Sequence, residues 1–368
     1  MDALDSILKI EERLVLKATQ AHIPIGGTFE LLPLCNMNCD MCFIRLDKAE
    51  MEKTGRLRSV DEWLEIASQM KEAGTLFVLL TGGEPFLYPG FMRLYKGLRK
   101  MGMIVTINTN GTLINEEIVK ELAKDKPRRV NVTLYGASQE TYQKLCHYPQ
   151  GFDRTIKAIE LLLKYHIDVK LNGTIVPANQ NEIQQLQDIA DHYGLYMKMD
   201  TYIYPGNRER ERQFDENARL TATEAAKKSI EVKKREYSQE KYNQYKQRML
   251  NSCHQEGIKE DKCLSCRAGK SAFWITWYGQ MTSCIFIKTV GLNVFEEGFD
   301  KSWKYLVEKM KNVHMPEGCL SCQKREVCQV CGASVYLETG GFEEKPLYMC
   351  EYTDEILNSL MGEKDEKD

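Results

Sequence analysis

Apolar and polar positions alternate along this chain with two different periods. From about residue 28 to 205, short apolar runs typical of strands alternate with longer segments in which apolar residues recur every three or four positions. Strands are predicted over residues 28–34, 76–81, 103–108, 129–135, 168–176 and 196–204. Helices are predicted between them, over residues 59–73, 90–101, 115–123, 138–165 with a break near 149–151, and 181–193.

Six strand–helix units in succession predict an α/β fold with a parallel sheet and crossover helices on its outer face. Six units are too few to close an eight-stranded barrel. We therefore expect residues 28–205 to form a partial (β/α)6 TIM-like barrel, whose lateral opening would admit a large substrate such as a peptide.

Three further segments flank the predicted barrel. Residues 1–27 form an amphipathic N-terminal helix, with Leu4, Ile7 and Leu14 among its apolar positions. Residues 206–252 are highly charged and read as a helical bridge, in which Thr221 and Glu224 have the spacing of a capping box. Residues 253–368 are expected to form a small cysteine-rich C-terminal domain.

Composition excludes several classes of partner. The 368 residues carry a formal net charge of −3, which argues against nucleic acid or an anionic membrane as the main partner. No run of about eighteen apolar residues predicts a transmembrane helix, and the acidic N-terminus is unlike a signal peptide. We expect a cytoplasmic protein.

Cysteine usage points to metal chemistry. The chain has 13 cysteines and only six histidines, and an odd number of thiols cannot all form disulfides. Disulfides are rare in a reducing cytoplasm. Sulfur-rich and histidine-poor ligation favours iron–sulfur clusters or structural zinc over catalytic zinc or non-haem iron.

The first chemical motif follows the first predicted strand. Cys35, Cys39 and Cys42 have the spacing Cys-x-x-x-Cys-x-x-Cys, and Phe43 follows at once. Three thiolates can bind three irons of a cubane cluster and leave the fourth iron open to a substrate or cofactor. Taken alone, the triplet is also compatible with a zinc or structural cysteine site.

This triplet with its trailing aromatic resembles the signature of the radical S-adenosylmethionine (SAM) enzymes. The resemblance implies that Cys35, Cys39 and Cys42 hold a 4Fe-4S cluster whose open iron chelates the amino and carboxylate groups of SAM. Reductive cleavage of SAM then gives a 5′-deoxyadenosyl radical, which abstracts hydrogen from the substrate. The resemblance also implies that Phe43 is one of the cofactor-binding residues.

A glycine-rich turn follows the second predicted strand. Gly82 and Gly83 lack side chains and allow close backbone approach, while the Glu84 carboxylate can accept hydrogen bonds from an ammonium group. Such a sequence is otherwise an ordinary turn. Placed one unit after the cysteine triplet, it resembles the family's GGEP motif, which implies that Gly82, Gly83, Glu84 and Pro85 contact the SAM amino group.

Three more residues match family positions along the barrel. Thr133, in the fourth strand, matches a hydroxyl residue that contacts SAM, and Arg154 matches an arginine that pairs with the SAM carboxylate. A guanidinium suits that role because it is permanently charged and bidentate. Asn108, at the end of the third strand, is expected to line the same cleft. Alternatively, Thr133 is an ordinary strand residue, Arg154 is a surface arginine, and the segment that begins at Asn108 is an ordinary Asn-Gly turn.

Nine of the 13 cysteines lie between Cys253 and Cys350. Their pattern, Cys266-x12-Gly279-x4-Cys284 followed by Cys319-x2-Cys322-x5-Cys328-x2-Cys331 and Cys350, resembles the SPASM domain, a C-terminal extension with two auxiliary 4Fe-4S clusters. The spacing between Cys328 and Cys331 is x2, where the family usually has x3. A zinc ribbon also contains paired CxxC motifs and is the alternative.

The resemblance implies a division of these cysteines. The first auxiliary cluster would use Cys266, Cys284 and Cys331, with Cys263 as fourth ligand or Cys253 in its place. The second would use Cys319, Cys322, Cys328 and Cys350. Cys146 is left over; it is either a small buried hydrophobic residue or, as a sharper hypothesis, a hydrogen donor to a substrate radical.

Two closed clusters beside the radical site suggest a net oxidation. By analogy with the family, we expect oxidative modification of a ribosomally synthesised peptide, such as a thioether or carbon–carbon crosslink. Flavodoxin or ferredoxin is the expected reductant. Only about 27 residues precede the first strand, so leader recognition would fall to a separate protein, to the 206–252 bridge, or not occur.

Other functions stay open at this stage. An anaerobic sulfatase maturase would resemble its relatives in placing an acid directly after the position of Cys284, but Ile285 follows here and the next acid is Glu296. Modification of a tetrapyrrole or another small cofactor is compatible with the cysteine spacing. A non-enzymatic iron–sulfur carrier or zinc-bound module would not explain the GGEP loop inside a six-unit barrel.

Overall fold

The computed structural model of the chain describes residues 3–205, 218–252, 266–287 and 291–363. The strands in chain order, β1 to β8, are Gly26–Glu30, Phe77–Thr81, Ile104–Thr109, Arg129–Thr133, Val169–Thr174, Met197–Asp200, Ala272–Ile275 and Met281–Thr282. The helices of the N-terminal part, α1 to α8, are Ala3–Gln20, Lys48–Thr54, Val60–Glu72, Phe91–Lys100, Glu116–Lys124, Gln139–Cys146, Gly151–Lys164 and Ile183–His192. The remaining helices, α9 to α15, are Ala222–Glu236, Gln239–Ser252, Val294–Glu297, Phe299–Met310, Glu317–Leu320, Gly332–Thr339 and Leu347–Gly362.

All strands belong to one sheet with the order β6-β5-β4-β3-β2-β1-β7-β8. Strands β1 to β6 are parallel neighbours in chain order, and the register pairs Thr28 with Leu79 and Asn108 with Asn131. All six predicted strands are present, each shifted or shortened by a few residues. The predicted α/β fold with a parallel sheet is confirmed.

Alternation along the strands separates two faces of the sheet. Phe29, Val78, Val105, Val130 and Leu171 are buried in the main apolar core with residues of the surrounding helices. The residues between them, including Thr28, Thr106 and Lys170, line the opposite face. Because parallel strands bring their carboxyl ends to one edge, the loops after β1, β2 and β3 meet there.

Local signals place the helix ends as expected. Ser59 and Glu62 form a capping box at the start of α3, and Thr221 and Glu224 form another at the start of α9. The predicted helix over residues 138–165 is two helices, α6 and α7. The break falls at His147–Gln150, as the sequence indicated, because His147 ends α6 in the left-handed conformation.

The sheet continues beyond the six predicted strands. Strand β7 pairs in parallel with the free side of β1, and β8 adds an antiparallel strand to β7. Gly27 permits this pairing, because a Cβ at that position would lie 2.4 Å from the ring of Phe273 on β7. The C-terminal region is therefore joined to the barrel through its sheet.

Helical packing also joins the later elements to the barrel. The bridge is two helices, α9 and α10, of which α9 packs along the C-terminal helix α15. Helix α12 packs against α3 of the barrel. Residues 206–217 of the predicted bridge lie outside the described residues. Among the helices that the structure describes, none is both long and apolar enough to cross a membrane.

Candidate active site

The cysteine triplet lies on the loop after β1, at the carboxyl edge of the sheet. Cys39 is buried, and Cys35 and Cys42 are half-buried. Backbone amides point at the sulfurs: Met37 N–H donates to Cys35 Sγ (3.4 Å) and Arg45 N–H donates to Cys42 Sγ (3.3 Å). Amide donors of this kind favour the thiolate form that iron binds.

The three cysteines pack in one cluster. Burial, with smaller contributions from the charges of Glu84, Cys39 and Cys42, raises the pKa of Cys35 to about 12 against the opposing amide of Met37. Three mutually repelling thiolates in a buried loop are costly without a cation. A metal cluster supplies the missing positive charge, so this donor set fits the cluster that the sequence predicts.

The end of α6 holds the same loop in place. The carbonyl of Cys146 accepts from Asn38 N–H, and that of Leu145 accepts from Asp40 N–H, both at 3.0 Å. His147 Nε2 lies 2.7 Å from Asp40 Oδ1. The cluster loop is thereby fixed to a helix terminus by two backbone hydrogen bonds and one polar side-chain contact.

The thiol of Cys146 lies beside that of Cys39. The neighbouring thiol of Cys146 is the main reason that the pKa of Cys39 is well above its ordinary value, and burial adds to it. Cys146 is 0% exposed and packs in the apolar cluster around the triplet. The structure thus places it next to a cluster ligand; its role as a hydrogen donor stays a hypothesis.

The GGEP loop packs directly against the cluster loop. Gly83 N–H donates to Leu32 O at 2.7 Å, and Glu84 N–H donates to Leu34 O at 3.0 Å. A Cβ on Gly83 would lie 2.3 Å from the Leu34 carbonyl oxygen. Gly83 therefore allows close approach of two loops within the protein, besides any role toward a ligand.

Glu84 is fully buried, and its carboxylate accepts hydrogen bonds from within the protein. Thr109 Oγ1 and Phe86 N–H donate to Oε1 at 2.8 and 3.1 Å, and Asn110 N–H donates to Oε2 at 2.9 Å. Burial raises the pKa of Glu84 to about 7 in spite of these donors. The geometry assigns Glu84 a structural role between the β2 and β3 loops; contact with SAM stays a prediction.

Asn110 is a site residue that the sequence reasoning missed. Its side-chain Nδ2 lies 3.6 Å from Cys35 Sγ and 3.1 Å from Asn36 Oδ1, and Asn36 in turn donates to Thr112 Oγ1. Asn108 lies on β3 and accepts from Asn131 Nδ2 at 2.7 Å. Strand alternation does not separate Asn108 from Asn110, because the two have the same parity; the available signal was the position of Asn110 just past the strand end, where side chains reach the loops.

Thr133 lies at the end of β4, and Arg154 lies near the start of α7. Thr133 is the last residue of β4 and is half-buried. Arg154 lies in the first turn of α7, where its guanidinium donates to Gln150 Oε1 and lies 5.7 Å from the ring centre of Tyr148. Tyr148 packs against the apolar cluster that contains the cysteine triplet. Arg154 itself is exposed, and its role toward SAM stays a prediction.

Four of the C-terminal cysteines surround one cavity. The space measures about 170 Å³ and is lined by Cys319, Cys322, Cys328 and Cys350 together with Lys324 and Lys345. Burial, together with the charges of Cys350 and Cys328, raises the pKa of Cys319 to about 11. Thr353 Oγ1 donates to Cys328 Sγ at 3.2 Å. Four cysteines around one cavity, with two lysines beside them, fit an iron–sulfur cluster with four protein ligands.

A second group contains Cys266, Cys284 and Cys331. Burial raises the pKa of Cys284, and the charges of Cys331 and Cys266 add to it. Cys284 and Cys331 are half-buried and Cys266 is exposed. Cys331 precedes α14 at its N-terminus. The two proposed fourth ligands, Cys263 and Cys253, lie outside the described residues. The division of these cysteines between two auxiliary clusters stays a prediction.

A larger cavity of about 410 Å³ opens at the other end of the barrel. It is lined by strand starts such as Gly26, Phe77 and Arg129, and by Glu11 of α1. The cysteine triplet follows the opposite, carboxyl end of β1. This cavity therefore lies away from the chemistry described above.

Comparison with known proteins identifies the class. Residues 29–190 match the family model described as the radical SAM superfamily. The barrel with its cysteine triplet is thus a radical SAM domain, and the chain is an enzyme of radical chemistry. The predicted resemblance to the radical SAM enzymes is therefore confirmed.

Particular relatives cover most of the chain. It is 27% identical to an AdoMet-dependent heme synthase of Methanosarcina barkeri, over 86% of this chain and 94% of that protein. It is 25% identical to the antilisterial bacteriocin subtilosin biosynthesis protein AlbA of Bacillus subtilis, over 82% of this chain and 64% of AlbA.

Solved structures share the fold. SuiB of Streptococcus suis bound to S-adenosylmethionine superposes with a TM-score of 0.64 at 17% identity, over 94% of this chain and 80% of SuiB. The protein anSMEcpe with AdoMet and a bound peptide gives 0.66 at 16% identity, over 91% and 97%. The fold likeness extends through the cysteine-rich C-terminal region.

Proposed function

We propose that this enzyme cleaves SAM and oxidatively modifies a ribosomally synthesised peptide. The observation that carries the proposal is the extent of the fold likeness, which spans the barrel and the cysteine-rich region together. SuiB has been solved with its precursor peptide SuiA at a TM-score of 0.63, and anSMEcpe with a peptide. AlbA, which acts in bacteriocin biosynthesis by its description, supports the same substrate class.

The chain's own residues divide the work at the SAM site. Cys35, Cys39 and Cys42 would hold the SAM-binding 4Fe-4S cluster, which supplies the electron for reductive cleavage of SAM. Arg154 would bind the SAM carboxylate through its guanidinium. Thr133 and the GGEP loop, with Phe43 and Asn108 nearby, are proposed to complete the SAM pocket.

The C-terminal cysteines would hold two auxiliary clusters, which accept the electron that an oxidised product must lose. Cys319, Cys322, Cys328 and Cys350 supply four thiolates around one cavity, so that site would be closed to substrate. Cys266, Cys284 and Cys331 would hold the first auxiliary cluster with Cys263 or Cys253. A radical made by hydrogen abstraction then becomes a new bond by losing one electron and one proton.

Partners follow from this chemistry. A low-potential reductant such as flavodoxin or ferredoxin would deliver the electron for SAM cleavage. Recognition of a leader peptide is assigned to a separate binding protein or to the α9–α10 bridge. We place the reaction in an anaerobic cytoplasm, because reduced low-potential iron–sulfur clusters react with oxygen.

A second candidate is radical modification of a tetrapyrrole. The 27% identity to a heme synthase covers 94% of that protein and specifically favours this alternative. The sulfatase-maturase alternative is weaker, because Ile285 is buried where an acid is expected and Glu296 lies in α11.

The two substrate classes are separated by one assay. The reconstituted enzyme is incubated anaerobically with SAM, dithionite, and either peptides encoded beside its gene or a porphyrin carboxylate. Loss of two hydrogen atoms from a peptide, seen by mass spectrometry with matching 5′-deoxyadenosine, supports the proposal. Turnover of the porphyrin alone would overturn it in favour of the second candidate.

A further inference from the structure

Aromatic rings connect the loop of the cysteine triplet to the group of Cys266, Cys284 and Cys331. The ring of Phe43, next to Cys42, lies 4.7 Å from that of Phe286, and Phe286 stacks on Tyr204 at 4.1 Å with an interplanar angle of 23°. We call Phe43, Phe286 and Tyr204 the aromatic bridge. Each of its three residues comes from a different segment: the β1 loop, the segment after β8 and the segment after β6.

The far end of the aromatic bridge reaches a cysteine. The Tyr204 hydroxyl lies 3.5 Å from Cys331 Sγ, within hydrogen-bond distance for sulfur. A cysteine bound to iron is a thiolate without a proton, so the tyrosine must then be the donor. Hydrogen bonds to cluster sulfurs are one of the means by which a protein sets a reduction potential.

We propose that Tyr204 is a positioning residue that raises the reduction potential of the first auxiliary cluster through its hydrogen bond to Cys331. The reduced cluster carries one more negative charge than the oxidised cluster, so a donor at the sulfur stabilises the reduced state more. The stacked rings fix the hydroxyl toward Cys331 by packing Tyr204 against the segment that also carries Cys284. This inference rests on the proposed function, because it requires an auxiliary cluster on Cys266, Cys284 and Cys331.

The chain provides a matched control two residues away. The ring of Tyr202 lies 4.9 Å from that of Tyr204, but its hydroxyl donates to Glu338 Oε1 at 2.9 Å. Replacing either tyrosine with phenylalanine removes one hydroxyl and keeps the ring. Only Tyr204→Phe removes a hydrogen bond to a cysteine sulfur.

The test is a redox titration followed by electron paramagnetic resonance on reconstituted full-length protein. A Cys35→Ala, Cys39→Ala, Cys42→Ala background isolates the auxiliary clusters. Tyr204→Phe is expected to change the reduced-to-oxidised ratio at a fixed potential about tenfold, which is about 59 mV toward more negative values for one electron. Tyr202→Phe is expected to titrate like the unchanged background, with the same iron content.

The inference would be overturned if Tyr204→Phe had the same reduction potential as its background. It would also be overturned if Tyr202→Phe shifted the potential as much as Tyr204→Phe does. A second measurement needs no substitution: the donated proton should appear as an exchangeable hyperfine coupling that is lost in deuterium oxide, and its absence would contradict the hydrogen bond. Iron content is also measured on the chain that keeps Cys35, Cys39 and Cys42. Only about four irons per chain would show that the auxiliary clusters are absent. About twelve irons with an unshifted Tyr204→Phe would overturn only this inference.

Discussion

The backbone N–H of Asn110 donates a 2.9 Å hydrogen bond to the buried carboxylate of Glu84. The side chain of the same asparagine lies 3.6 Å from Cys35 Sγ. One residue after β3 thus joins the GGEP loop after β2 to the cysteine loop after β1. The three loops form a single hydrogen-bonded unit around the cysteine triplet, and two predictions follow from how tightly that unit is packed.

The first prediction concerns pH. Burial raises the pKa of Glu84 from 4.5 to about 7, so the folded protein holds this proton more tightly than the unfolded chain does. Its contribution to stability is full below pH 4.5 and is lost as pH rises through about 7, by about 3 kcal/mol. We expect Glu84→Gln to remove this contribution.

The measurement is the free energy of unfolding of metal-free protein at several pH values, for the unchanged chain and for Glu84→Gln. Subtracting the two curves cancels the other titrating groups. A difference that stays constant between about pH 4.5 and 7 would contradict the buried, proton-binding carboxyl.

The second prediction concerns Gly83. Its replacement by alanine would place a Cβ 2.3 Å from the Leu34 carbonyl oxygen, so the GGEP and cysteine loops must separate. We expect destabilisation of about 2 kcal/mol and loss of iron from the SAM-binding site, measured by denaturation and by iron analysis. Gly362→Ala is the control, because apart from its chain neighbours and its own helix backbone no atom lies within 4 Å of the added Cβ. Full iron content in Gly83→Ala would show that close loop packing is unnecessary.

The third prediction concerns Cys146. The cluster loop is held by the Cys146 carbonyl, which alanine retains, and the thiol is 0% exposed. We expect Cys146→Ala to keep its iron, its SAM cleavage and its product, with a loss of stability of about 1 kcal/mol from the smaller side chain. A product that changes while SAM cleavage persists would instead identify Cys146 as the hydrogen donor.

The fourth prediction separates the two auxiliary sites. Cys350 belongs to the group of four around the 170 Å³ cavity, and Cys331 belongs to the other group. We expect Cys350→Ala and Cys331→Ala each to lose about four irons while SAM cleavage continues, since neither touches the triplet. The double variant should lose about eight. Loss of the same four irons in all three proteins would show that the cysteines are divided differently.

Much of the fold could be predicted from sequence because periodicity is a local property. All six barrel strands, the capping boxes at Ser59 and Thr221, and the break before α7 were indicated by neighbouring residues. Strands β7 and β8 were missed because they lie outside the regular strand–helix alternation that indicated β6, which at four residues is as short as β7. Their pairing with β1 depends on residues far apart in the chain.

Some residues of the candidate site could likewise be predicted from local sequence, and others could not. The cysteine triplet and the GGEP loop have fixed spacings that a sequence displays. Asn110 and Tyr204 act through contacts with Cys35 and Cys331, which are 75 and 127 positions away, so spacing gives no sign of them. A contact of Asn108 with the SAM cleft stays a prediction, since its hydrogen bond in the structure is with Asn131.

The central claim is that the chain holds three 4Fe-4S clusters and uses one to cleave SAM. The most direct measurement is iron and sulfide content of anaerobically reconstituted protein, with 5′-deoxyadenosine release under dithionite. The account predicts about twelve irons per chain and SAM-dependent 5′-deoxyadenosine. Zinc in place of iron, or no cleavage of SAM by fully loaded protein, would contradict it.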